Sequence, residues 1–177
     1  GFPCARLEAL GTVGEEAARR RTACALLAAV EGWCRAAEIV TLHARADLED
    51  RPTIHALEGQ GFGLVTVVVK YYFATRRPIP AVKTLATRLF EAKDLGALRP
   101  IARSAFDLNR FSLDPGYPAE RVGELYARWT ENACHGRVQD AVVVAERAGT
   151  PVGFLTCGLE REVSRLWPIR LGAIHLT

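Results

Sequence analysis

The ten residues from Leu64 to Phe73, Leu-Val-Thr-Val-Val-Val-Lys-Tyr-Tyr-Phe, are the most β-prone stretch of this chain. β-branched and aromatic side chains fit a pleated, covered surface, and a nearly unbroken apolar run leaves no face for water. The run predicts a strand that lies centrally in its sheet, with Val67 to Tyr71 buried. It also fixes what surrounds it. Phe2 to Leu7 reads as a short strand. From about Glu15 to Ala37, Ala23, Leu26, Leu27, Val30, Cys34 and Ala37 recur at helical spacing and define one apolar face. Ile39 to Ala44 is a second strand, and Pro52 to Gln60 a second helix with Gly61 as its stop. The expectation is a β-α-β-α-β domain over residues 1–75.

Thr75-Arg76-Arg77-Pro78-Ile79-Pro80 then breaks every periodicity, so residues 76–84 read as a linker. A second α/β domain is expected over 85–177. Its elements are a strand from Leu85 to Phe90, a helix from Asp94 to Phe106 and a helix opened by Pro118 and stopped by Gly136. A hairpin of Ala141–Ala145 and Val152–Leu159 turns at Ala148-Gly149-Thr150, and a last strand runs from Leu171 to Thr177. Pro100 conflicts with the first of these helices, because proline removes a backbone donor. With 49% hydrophobic residues among 177, either domain can bury a core.

A net charge of +3 is too small at this size to argue for nucleic-acid or membrane binding. The cluster Arg19-Arg20-Arg21 reads as a solvated helix face. Five scattered cysteines, without a C-x-x-C pair, read as free thiols in a reducing cytoplasm. The four histidines lack ligand spacing, so no metal is expected. Phosphate-binding glycine loops, the nucleophile elbow and the H-E-x-x-H pair are all missing.

Order says more than any single motif. Leu89-Phe90-Glu91-Ala92-Lys93-Asp94-Leu95-Gly96-Ala97-Leu98, with Ile101 and Ala105-Phe106 after it, and Pro151-Val152-Gly153-Phe154-Leu155 later, stand in a β-α-α-β-β-β order. This resembles the opening of the GNAT acetyltransferase superfamily. Ala105-Phe106-Asp107-Leu108-Asn109-Arg110-Phe111, Tyr117, and Tyr126-Ala127-Arg128-Trp129-Thr130-Glu131-Asn132-Ala133 with Gly136 look more narrowly like the dTDP-fucosamine N-acetyltransferase family. Members of that family carry an α/β domain ahead of the GNAT domain, and His55 to Val65 is similar to its closing helix and strand.

The resemblance implies transfer of an acetyl group from acetyl-CoA to the 4-amino group of a nucleotide-linked deoxysugar for bacterial surface polysaccharide. It implies that Ile174, His175 and Leu176 line the cofactor edge of the fourth GNAT strand, with Ile174 the foremost contact. Arg110 and Tyr117 would border the nucleotide-sugar pocket, Arg110 as a phosphate partner. A cytoplasmic enzyme follows, with a homodimer open. The pyrophosphate loop and the general-acid tyrosine of the family would both lie past Thr177, so the expectation is a piece cut at both ends and inactive by itself. Leu57 stands where the phrase around Glu58-Gly59-Gln60-Gly61 would otherwise carry such a tyrosine, so the first domain is expected to be non-catalytic. Two alternatives stay open: a GNAT enzyme acting on a peptide or small amine, and a non-catalytic α/β binding module.

Overall fold

The computed structural model describes residues 3–78 and 85–176, and for Leu176 the backbone alone. Phe2, Thr177 and residues 79–84 of the expected linker lie outside the described residues. The chain is mixed α/β and divides into two compact units, Gly1–Val65 and Thr66–Thr177.

In the first unit, β1 (Cys4–Arg6) and β2 (Thr41–His43) pair in parallel, Ala5 opposite Leu42. A parallel pair needs a long crossover, supplied here by α1 (Glu16–Ala36). Helix α2 (Arg51–Gly59) follows. Ala23 and Leu27 of α1 meet Ala56 of α2 in a small core closed by Leu7, Leu10, Leu57 and Phe62. Leu57, expected to be chemically idle, is thus a packing residue. Of the expected α1 face, Ala23, Leu27 and Cys34 are buried, whereas Leu26 and Ala37 are exposed. A single neighbouring helix covers only a narrow stripe.

Asp50 starts α2. Its carboxylate accepts from the Thr53 amide at 3.4 Å and the Thr53 hydroxyl at 2.7 Å, and pairs with Arg19 of α1 at 2.8 Å. The Thr53 hydroxyl bond, with Arg19 assisting, holds this carboxyl below its ordinary 3.8. Arg19 therefore leaves the solvated face expected for the arginine cluster, because a buried helix start offers it a partner. Asp50→Ala removes a cap and an interhelical tie together. It is expected to destabilise the first unit by about 1–2 kcal/mol, read as a lower urea midpoint at unchanged slope.

The expected third strand of this domain is not formed. Residues 64–73 adopt no regular secondary structure, and Val67, Val68, Val69 and Tyr71 are each more than half exposed. β propensity measures fit to a covered, paired surface; it makes no ladder where no neighbouring strand takes up the backbone groups. The boundary between the two compact units falls within this run, after Val65.

The second unit is a four-stranded antiparallel sheet in the order β3-β4-β5-β6: β3 (Ala86–Leu89), β4 (Ala141–Arg147), β5 (Thr150–Leu159) and β6 (Gly172–Leu176). Helices α3 (Leu95–Ala105) and α4 (Ala119–Cys134) cover one face. Val142 and Val144 point inward from β4 against Leu98 and Ala133, and Phe154 joins them from β5. Helix α3 runs through Pro100. Gly96, whose carbonyl would otherwise receive the missing donor, is exposed, so water can serve it. The short helix α5 (Arg161–Leu166), not expected from the sequence, lies between β5 and β6. Among the described residues no helix is long and apolar enough to cross a membrane.

Candidate functional site

β6 pairs with β5 and stands at one end of the strand order, so its outer edge carries backbone groups with no neighbouring strand among the described residues. Ile174 sits opposite Cys157 and is 61% exposed. Leu176 sits opposite Thr156, so one residue of β6, His175, is extra in the ladder. Such a bulge bends a strand and re-aims the side chain it inserts.

That side chain turns over Gly158 of β5. A Cβ at Gly158 would stand 3.1 Å from His175 Nε2 and 2.7 Å from Gln139 Oε1, so a side chain there would displace the ends of both. Gln139 Oε1 is buried without a hydrogen-bond partner. Glu160 Oε1 lies 4.0 Å from His175 Nε2. Next to this group, Asp140 pairs with Arg161 and accepts from the Leu159 amide at 2.7 Å, which holds its carboxyl below the ordinary range, Arg161 being the main cause. A pocket of about 220 Å³ opens beside Gln139, bordered by Phe90, Cys134 and Val142. Burial pushes the Cys134 thiol up to about 11, which leaves it protonated and unreactive.

Arg110 and Tyr117 lie in the loop between α3 and α4, and both are built into an aromatic cluster. The Arg110 guanidinium sits 4.3 Å over the Phe111 ring, and Tyr117 meets the same ring edge-on at 5.3 Å. Phe111 packs on Trp129, Trp129 on Tyr126, Tyr126 on Phe106, and Phe106 on Phe154 of β5. Burial raises the Tyr126 hydroxyl, with Arg110 opposing. Asn109 shapes the loop: its carbonyl accepts from the Phe111 amide at 2.8 Å and the Ser112 amide at 3.2 Å. Phe154 and Thr156 share a face of β5, so one strand carries the aromatic cluster at one point and backs Leu176 at another.

The structure therefore brings Arg110 and Tyr117 together around Phe111, and Ile174, His175 and Leu176 together on an open edge. Gln139, Gly158 and Glu160 were not expected at a site. Gly158, a glycine within a good strand, carried a readable hint of close approach; the other two carried none. In the first unit, Arg20, Arg21 and His55 border an open cleft of about 630 Å³ with Glu16 among them, which remains a solvated surface. All five cysteines are free, and among the described residues no group of three or more His, Cys, Asp or Glu side chains could hold a metal ion. Comparison with known protein families and with curated proteins gives no match to this chain.

Proposed function

We propose that this chain belongs to an acetyl-CoA-dependent N-acetyltransferase of the cytoplasm whose acceptor is the amine of a nucleotide-linked deoxysugar. The observation that carries the reading is the open edge of β6 with its bulge at His175. A pantetheine arm is an extended chain of amides, and an unpaired strand edge offers such a chain alternating donors and acceptors. Ile174, exposed on that strand, would flank the arm. The loop holding Arg110 and Tyr117 supplies a cation and aromatic faces, which suit a phosphate and a planar base.

The test is a titration of the ¹⁵N-labelled chain with CoA. A few backbone bonds of about 1 kcal/mol each do not by themselves offset an association cost of about 4 kcal/mol or more, so affinity no better than millimolar is expected. Amide shifts should concentrate at Gly172 to Leu176, and Ile174→Asp should abolish them. Shifts confined to other elements, or none at millimolar CoA, would count against the reading. Addition of a dTDP-linked amino sugar should separately move the amides of 109–117.

A further inference from the structure

We infer that residues 64–73 are an interaction strand whose partner is the same segment of a second copy of this chain, paired antiparallel about Val69; the inference does not depend on the acetyltransferase reading. Backbone and side chains of the segment are both uncommitted. It adopts no regular secondary structure, and among the described residues none of its amides or carbonyls bonds to other backbone. Tyr71, Tyr72 and Phe73 are 94%, 83% and 51% exposed, and Val67, Val68 and Val69 are each more than half exposed. A β-prone run in this state has what a strand needs except a neighbour. At ~200 Å² a ring, the three aromatic side chains leave roughly 450 Å² open in each copy. Two copies bring together about twice that, with the valines and Leu64 besides, which reaches the ~1,200 Å² at which specific interfaces begin. A two-stranded ribbon is marginal in water, so the pair is a weak, concentration-dependent one.

The pattern of the run fits itself. In an extended chain Val65, Val67, Val69, Tyr71 and Phe73 share one face, and Leu64, Thr66, Val68, Lys70 and Tyr72 the other. A two-fold axis through an antiparallel pair of identical strands sets one residue opposite its own counterpart. With Val69 on the axis, Val67 of each copy meets Tyr71 of the other, and Val65 meets Phe73. Such β-branched and aromatic neighbours are favourable cross-strand pairs. On the opposite face Thr66 meets Tyr72 and Val68 meets Lys70. Lys70 is the one charge of the run and sets the strand direction. Parallel, in-register pairing would place Lys70 against Lys70, and stacking many copies would repeat that contact at every step. The antiparallel pair parts the two lysines and closes at two copies.

Sedimentation velocity of the full chain from micromolar to millimolar concentration tests this, with amide hydrogen exchange followed over the same series. The expected result is a monomer–dimer equilibrium in which residues 65–73 gain protection only as the dimer forms. Val69→Lys sets like charges against each other on the axis and should weaken dimerisation at least about tenfold. Val68→Glu, opposite Lys70 of the second copy, should strengthen it. Both positions are exposed, so unchanged exchange in β3 to β6 is expected in each variant and separates the effect from loss of fold. Opposite signs at neighbouring residues also separate it from a general loss of apolar surface. A monomer at every concentration, two variants that shift the equilibrium alike or not at all, or growth beyond two copies overturns the pairing. Protection of 65–73 that does not vary with concentration assigns the run to a strand within one chain and overturns it as well. So does concentration-dependent protection at β6 in its place.

Discussion

Leu98→Ala is expected to destabilise the second unit by about 2–5 kcal/mol. Leu98 has no exposed surface and stands where α3 crosses the sheet, against Ala133 of α4 and Val142 and Val144 of β4. Phe90, Ile101 and Phe154 close the contact, and each is held by its own element, so the cavity left by three carbons cannot easily collapse. Leu89, one strand away and 67% exposed, is the internal control; Leu89→Ala should cost under about 0.5 kcal/mol. The chain divides into two compact units, so the readout must belong to the second. A Trp33→Phe, Trp167→Phe background leaves Trp129 of α4 as the single tryptophan. Its fluorescence should show a lower urea midpoint for Leu98→Ala at unchanged slope. A loss below about 1 kcal/mol would mean that α3 does not close this core.

What the chain discloses in advance depends on whether local preference and tertiary environment agree. They agree in the hairpin. Val142 and Val144 alternate with less buried neighbours on β4, and Ala148-Gly149 marks the reversal. The turn is one residue shorter than expected, because Arg147 pairs with Thr150 and both Ala148 and Gly149 adopt positive φ, 50° and 77°. Alanine rarely enters that region, so its side chain argued for a longer loop. They disagree in residues 64–73, where composition demands a covered strand and none of the strands among the described residues pairs with it. They are both silent at α5, six residues with no buried side chain, held by local bonds such as Ser164 N–H to Glu160 at 3.0 Å.

The candidate site divides the same way. Ile174 and His175 were legible as members of a last strand, but the bulge at His175 depends on which residue of β5 each one faces. Arg110 was legible as a cation in a turn-rich loop, and its seat on Phe111 was not, because the Asn109 side chain sets the loop's path by accepting from the amides two and three residues on, which periodicity does not report. Gln139 precedes β4 in a polar turn and has no sequence signal at all. Its significance comes from burial without a partner, a property of the folded chain alone.

The other large effect is expected at Arg88, whose guanidinium joins three elements of the second unit. It forms two bonds to Asp94, of 2.6 and 2.8 Å, and its Nε reaches Glu146 of β4 at 3.0 Å. Asp94 is buried at the head of α3 and also accepts from the Glu91 amide at 2.8 Å, completing a reciprocal cap. Arg88→Met should lower the melting midpoint of the second unit by roughly 5–10 °C at neutral pH, because it strands a buried carboxylate beside Glu146. Asp94→Asn should cost less, since an amide oxygen can still accept from Glu91. Acid separates the two. Arg88 holds the Asp94 carboxyl down to about 2 from an ordinary 3.8. A carboxyl depressed in the folded state contributes stability that is whole above about pH 4 and is lost as the pH falls through the folded value. Wild-type stability should therefore decline between about pH 4 and pH 2, and Asp94→Asn should lose that part of the decline. In Arg88→Met the Asp94 carboxyl, without its cation, should titrate at higher pH and move the decline upward. Melting curves at half-unit steps across this range, read at Trp129, decide it. Parallel acid declines in wild-type and Asp94→Asn would show that the network carries none of the acid sensitivity.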